Sequence, residues 1–122
     1  MPRVLIVDDS PTELLRLRQH LESEGYQIME ATSGDDAIAK AKAQKPDVIV
    51  MDVVMPGMNG FQATRTLTRD PATKDVPIIV CSSKSQDTDK LWAKRQGASD
   101  YIVKPFKPAD LSERLRAALR NA

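Results

Sequence analysis

No apolar run in this chain approaches the roughly 20 residues that a membrane-spanning helix needs. There is one cysteine, Cys81, so no internal disulfide can form, which agrees with a reducing compartment. Leader features are equally scarce. Met1-Pro2-Arg3 runs straight into a short strand-like apolar segment with no small-residue cleavage pattern behind it, and a cytoplasmic location is expected. Neither sign of charge dominates: 18 Lys and Arg face 17 Asp and Glu, and a net +1 leaves no field for gripping nucleic acid. Linkers, internal repeats and low-complexity tracts are absent, as is the G-x-x-x-x-G-K-[ST] phosphate loop of nucleotide hydrolases. What is present is a chain of 122 residues, 41% hydrophobic and 29% charged, a balance that suits one soluble domain with one core.

The charge is unevenly spread. From Ser83 onward nine Lys and Arg face five acids, a balance of +4, so the rest of the chain carries −3 against the total of +1. A solvated helix surface explains most such runs. A docking face for an acidic partner is the sharper reading.

Five apolar runs alternate with five amphipathic stretches. Val4-Leu5-Ile6-Val7 is continuously hydrophobic, as a strand covered on both faces must be. Ser10-Pro11-Thr12-Glu13 then predicts a helix start: Ser10 caps, Pro11 suits the first helical position, and Glu13 sits where a capping-box carboxylate belongs. Leu14, Leu17 and Leu21 share one face of that helix and Gly25 ends it. A strand over 26–31 and a helix from Ser33 to about Gln44 follow, the latter stopped by Pro46. The run 47–51 delivers Asp52 at its carboxyl end, and a loop rich in Pro and Gly leads to a helix over 61–69. Strands over 77–81 and 101–103 flank a helix over about 86–96. A last helix carries Leu111, Leu115, Ala118 and Leu119, with only Asn121 and Ala122 beyond it. Strict strand–helix alternation implies right-handed crossovers and a parallel sheet with helices on both sides.

In such sheets ligands sit beyond the carboxyl ends of the strands, where strand order reverses. The sequence places acids there twice: Asp8-Asp9 after the first strand and Asp52 after the third. Converging carboxylates repel one another and favour a hard divalent cation, and Mg²⁺ suits a site of carboxylates, waters and phosphate oxygens. Taken alone, an Asp-Asp pair is weak evidence, since it can simply cap the following loop. Lys104 ends the fifth strand on the same rim and can neutralise a phosphoryl oxygen, and Ser82 ends the fourth and can donate a hydroxyl hydrogen bond. Phosphoryl transfer needs mainly positioning and charge neutralisation, which this set supplies.

Four spaced motifs then stand in order: Val7-Asp8-Asp9-Ser10, Asp52 with 55–60 (Met-Pro-Gly-Met-Asn-Gly), 77–82 (Pro-Ile-Ile-Val-Cys-Ser) and 97–106 (Gly-Ala-Ser-Asp-Tyr-Ile-Val-Lys-Pro-Phe). Together they resemble the response-regulator receiver (CheY-like) family over essentially the whole chain. The resemblance implies a flavodoxin-like (βα)5 fold, a doubly wound parallel sheet in strand order 2-1-3-4-5, and one receiver domain over 1–122 with no output domain. It implies phosphorylation on Asp52, Mg²⁺ held by Asp9, Asp52 and the Val54 carbonyl with Asp8 assisting through water, and a phosphoryl group gripped by Ser82 and Lys104. Tyr101 is the implied aromatic switch: the modified Asp52 draws the Ser82 hydroxyl inward and the Tyr101 ring turns into the space. A cis Lys104-Pro105 bond is also implied.

The implied phosphodonor is a histidine kinase, CheA-like, or a phosphotransfer domain. The implied output is a protein target, reached through the fourth helix, fifth strand and fifth helix, with no nucleic-acid or membrane partner. The expected state is a monomer, dimerisation on phosphorylation being open. On this view the chain is no enzyme but a phosphoacceptor that assists its own phosphorylation and dephosphorylation. Segments 61–65 and 88–97 look most like PilG/PilH-type regulators of twitching motility. Departures from the family are small: Ser82 stands where Thr is frequent, Ser83 where Ala is, and Lys107 where a helix-capping hydroxyl is usual, which costs that cap ~1 kcal/mol. Among other readings, an aspartate-nucleophile phosphatase needs a second acid where Val54 stands, and a flavin module needs a Ser/Thr-rich loop where Asp8-Asp9 stand. A phosphate sink, or a degenerate receiver that only binds proteins, is the remaining alternative.

Overall fold

The computed structural model describes residues 1–120; Asn121 and Ala122 lie outside the described residues. Strands and helices alternate without exception: β1 (Arg3–Val7), α1 (Pro11–Ser23), β2 (Gln27–Ala31), α2 (Gly34–Ala43), β3 (Val48–Asp52), α3 (Gly60–Arg69), β4 (Ile78–Ser82), α4 (Asp87–Arg95), β5 (Asp100–Val103) and α5 (Pro108–Arg120). Every strand pair is parallel, in the order β2-β1-β3-β4-β5. This is the doubly wound order that the sequence motifs imply.

Side chains alternate across the sheet, so each strand feeds two cores. Leu5, Val7, Ile49, Met51, Ile78 and Val80 face one way and meet Ala37 and Ala41 of α2, Phe61, Ala63 and Leu67 of α3, and Ala93 of α4. Val4, Ile6, Val48, Val50, Ile79, Cys81 and Ile102 face the other way and meet Leu14, Leu17 and Leu21 of α1 with Leu111 and Leu115 of α5. Each fully buried Leu or Ile contributes about 1.5–3 kcal/mol of transfer free energy, so the leucine stripes, more than helix propensity, hold α1 and α5 down.

The helix starts show the local chemistry at work. The Ser10 hydroxyl accepts from the Glu13 amide at 3.3 Å, but the Glu13 carboxylate pairs with Arg16 instead of reaching back to close a capping box. Attraction to an arginine one turn along outweighs a second local hydrogen bond there. The reciprocal box forms at α3, where Asn59 and Gln62 each accept from the other's amide at 3.0 Å.

Two placements matter for the rim. The final register pair of β1 and β3 is Val7 with Met51, so Asp8 and Asp52 follow it directly where strand order reverses. The start of α3 is pulled against the end of β3: the Gly60 amide donates to the Val53 carbonyl at 2.9 Å, and a Cβ on Gly60 would lie 2.0 Å from the Asp52 carbonyl oxygen. Only glycine fits. Among the described residues no helix is long and apolar enough to cross a membrane.

Candidate functional site

Four of the residues singled out in the sequence converge at the carboxyl rim. Asp8 (3% exposed) follows β1, Asp52 (9% exposed) ends β3, Lys104 follows β5, and exposed Asp9 stands beside Asp8. The Lys104 ammonium donates to Asp8 Oδ2 at 3.1 Å and to Asp52 Oδ1 at 3.2 Å. Its backbone amide donates to the Ser82 carbonyl at 2.8 Å, which fixes the Lys104 backbone beside the end of β4. Asp8 is oriented in turn by the Ser10 amide, which donates to its Oδ1 at 2.9 Å. The Lys104-Pro105 peptide is cis.

Charge is unbalanced here. Burial lifts the Asp52 carboxyl above its ordinary pKa; Lys104 pulls it back, Asp8 pushes it up again, and the net is upward. Burial opposes the charge on Lys104, but the Asp52 and Asp8 carboxylates outweigh it and hold the ammonium above the usual lysine value. Three carboxylates against one ammonium leave an excess of negative charge. Oxygens of Asp8, Asp9 and Asp52 lie within 4.8 Å of one another, an all-oxygen donor set able to hold a hard metal ion, and Lys104 already lodges a cation between two of them. Val54 is 62% exposed in the loop that follows Asp52. The Cys81 thiol, buried next to this cluster, is pushed up to about 12 by burial and stays a packing group.

Ser82 and Tyr101 form a second layer. Ser82 is buried, and its Oγ accepts from the Lys84 amide at 3.1 Å. The Tyr101 hydroxyl donates to the Lys84 carbonyl at 2.7 Å, and its half-buried ring packs on the core under α3 and α4. Burial raises the Tyr101 pKa, with the nearby Ser82 hydroxyl pulling the other way. The ring is thus seated against the Lys84 carbonyl and the core while the Asp52 carboxylate is paired with Lys104. The sequence points to Ser82 and Tyr101 but not to their common partner, because Lys84 contributes only its peptide group, which any residue type carries. Trp92 and Leu91 of α4 are 49% and 50% exposed, so Trp92 divides its surface between packing and solvent. Of the C-terminal basic excess, Lys104 is taken by the acids at the rim and Arg114 by Asp100 at 2.7 Å.

Together, sheet order and rim define an open α/β protein with an acidic, cation-attracting site at the point where the sheet reverses. Within that class the chain belongs to the response regulator receiver domain family, which matches residues 4–116. It is 52% identical over 119 residues to Protein PilH of Pseudomonas aeruginosa, the match covering 98% of each chain. It is 46% identical over 119 residues to the Transcriptional regulatory protein YvrH of Bacillus subtilis, but spans only 49% of that longer protein. The fold superimposes on the chemotaxis protein CheY4 of Vibrio cholerae with a TM-score of 0.92 and 34% identity, over 98% of this chain and 99% of that one. As a receiver domain, the chain stands between a phosphodonor kinase and a downstream target.

Proposed function

We propose that Asp52 accepts a phosphoryl group from a CheA-like histidine kinase or a phosphotransfer domain, and that the chain relays this signal in cytoplasmic control of pilus-driven surface motility. The reading is carried by the Asp52 carboxylate, held at the rim beside Asp8 with Lys104 at 3.2 Å. An Asp52 oxygen attacks the phosphorus of a phosphohistidine and the P–N bond breaks. The leaving imidazole keeps the electron pair and takes up a proton from solvent, and Asp52 becomes an acyl phosphate. Lys104 transfers its charge from the carboxylates to a phosphoryl oxygen, and the Ser82 hydroxyl donates to another. Asp9, Asp52 and the Val54 carbonyl would hold Mg²⁺, with Asp8 assisting through water; the ion supplies charge neutralisation on the phosphoryl oxygens. In this reading the chain is not an enzyme, because each acceptor takes one phosphoryl group and assists only its own modification and hydrolysis. The output surface is the face of α4, β5 and α5.

With acetyl phosphate and Mg²⁺ the intact mass should rise by one phosphoryl group that maps to Asp52. A chelator should prevent the gain, and Asp9→Asn should raise the Mg²⁺ needed by at least about 10-fold. Modification in the presence of chelator, or at another residue, defeats the reading. The full-length match to PilH supports the motility assignment. Deleting the protein should impair twitching across a surface; unchanged twitching removes that part alone. The seated Tyr101 ring favours a second reading, in which the chain drains phosphoryl groups without reporting them.

A further inference from the structure

β2 is an outer strand of the sheet, so one row of its peptide groups has no strand beside it. The Gln27 amide donates to the Pro2 carbonyl at 2.9 Å, and the Ala31 carbonyl accepts from the Asp8 amide at 3.1 Å. These two residues turn their peptide groups toward β1. Peptide groups alternate along a strand, and those of Ile28 and Glu30 therefore point to the open side. α2 reaches over that side. Lys40 Nζ donates to the Glu30 carbonyl at 2.6 Å, Asp36 Oδ2 accepts from the Thr32 amide at 3.4 Å, and the two side chains pair at 3.2 Å. One residue of an added parallel strand would place its own N–H and C=O on these same two groups. Asp36 and Lys40 thus imitate, with side chains, one residue of a sixth strand. On the α1 side Arg18 holds the Glu30 carboxylate at 3.0 Å. A hollow of about 450 Å³ runs along the edge, walled by Arg18, Ile28, Met29, Lys40 and Ala43. The other outer strand, β5, shows the same chemistry: Arg114 donates to the Tyr101 carbonyl at 3.3 Å and is itself held by Asp100.

We infer that Lys40, held by Asp36, keeps the β2 edge closed to strand addition, and that the strand it excludes is β2 of a second copy of this chain. The edge is complementary to itself. Two β2 strands laid antiparallel about a two-fold axis at Met29 bring Ile28 of each copy opposite Glu30 of the other. Each such pair exchanges both of its N–H···O=C bonds, four in all, and two of the four need the Glu30 carbonyl that Lys40 occupies. An added strand lies about 4.8 Å from its neighbour, a space in which the Lys40 ammonium already stands. The half-buried Met29 of each copy would meet the other's on the α2 side, covering apolar surface that the open edge leaves in water.

The test compares the whole chain with its Lys40→Ala and Lys40→Arg variants by sedimentation over a concentration series, with amide hydrogen exchange read at Ile28 and Glu30. Lys40 is exposed, so the core stays packed in both variants. The wild type should stay monomeric, with fast exchange at both amides. Lys40→Ala should dimerise about 25-fold more strongly, roughly five-fold for each of the two carbonyls it frees, and both amides should gain protection as concentration rises. Lys40→Arg should behave as the wild type, since a guanidinium can still donate to the carbonyl and pair with Asp36. A Lys40→Ala chain that associates no more strongly than the wild type overturns the inference. So does a dimer whose Ile28 and Glu30 amides exchange as freely as before, since its interface then lies on another face. A wild type already protected at these amides shows the edge covered with Lys40 in place, and overturns it as well.

Discussion

Asp52→Asn should lose all phosphoryl uptake and yet fold more stably than the wild type at neutral pH in metal-free buffer. The side chains have nearly the same shape, so packing is conserved and only charge changes. Asp52 is buried and faces Asp8, and these two effects outweigh its contact with Lys104, since its pKa stands above the ordinary carboxylate value. A carboxyl whose folded-state pKa is raised stabilises the fold while protonated, and that contribution is lost as pH rises through the folded-state value. At neutral pH the wild type therefore bears the full cost of an ionised Asp52, which Asn does not carry. Lys104 keeps Asp8 as a partner at 3.1 Å, so no buried ammonium is stranded. The expected gain is on the order of 1 kcal/mol in urea unfolding, the low end of what replacing a costly buried charge by a neutral group of similar volume brings, and it shrinks as pH falls and wild-type Asp52 takes up its proton. An Asn variant less stable than the wild type would show that attraction between Lys104 and Asp52 outweighs burial and the repulsion from Asp8.

Gly60→Ala reverses what helix propensity predicts. Alanine in an open helix position is favoured over glycine by about 1 kcal/mol. At the first residue of α3, however, the added Cβ would lie 2.0 Å from the Asp52 carbonyl oxygen and 2.9 Å from both the Asp52 carbonyl carbon and the Val53 Cα. All three are backbone atoms of the segment that carries the phosphoacceptor, so no side chain can swing aside. The variant should lose at least about 3 kcal/mol, the upper end of overpacking costs. Displacing Asp52 by a fraction of an ångström should also slow phosphorylation by acetyl phosphate about 100-fold. Gly57 is the control: nothing lies within 4 Å of a Cβ there, and Ala meets only the cost of a φ of 73°. Equal effects at the two sites would refute the close approach of α3 to β3.

The element pattern is legible in the chain because each local signal points the same way. Continuous Val-Ile-Leu runs require a sheet covered on both faces, Ser10-Pro11 and Gly25 bracket the first helix, and Asp8, Asp52, Ser82 and Lys104 each stand at or just past a strand end, so a parallel sheet has to bring them to one rim. The reciprocal box at Asn59 and Gln62 is equally open to reading, three residues apart before an apolar run. Spacing misleads at Glu13, because it shows the nearest possible partner while Arg16 competes for the same carboxylate.

By itself, then, the sequence determined which residue types reach the carboxyl rim and what chemistry that set permits, since strand periodicity and alternation fix the end of the sheet at which each side chain emerges. Only the tertiary structure decided how those groups meet: that Lys104 spans Asp8 and Asp52, that α3 leaves room for no more than a hydrogen at Gly60, and that the Tyr101 hydroxyl finds the Lys84 carbonyl. The physical reason is that most of these contacts join segments far apart in the chain. Several of them use backbone atoms common to every residue, whose positions follow from packing alone.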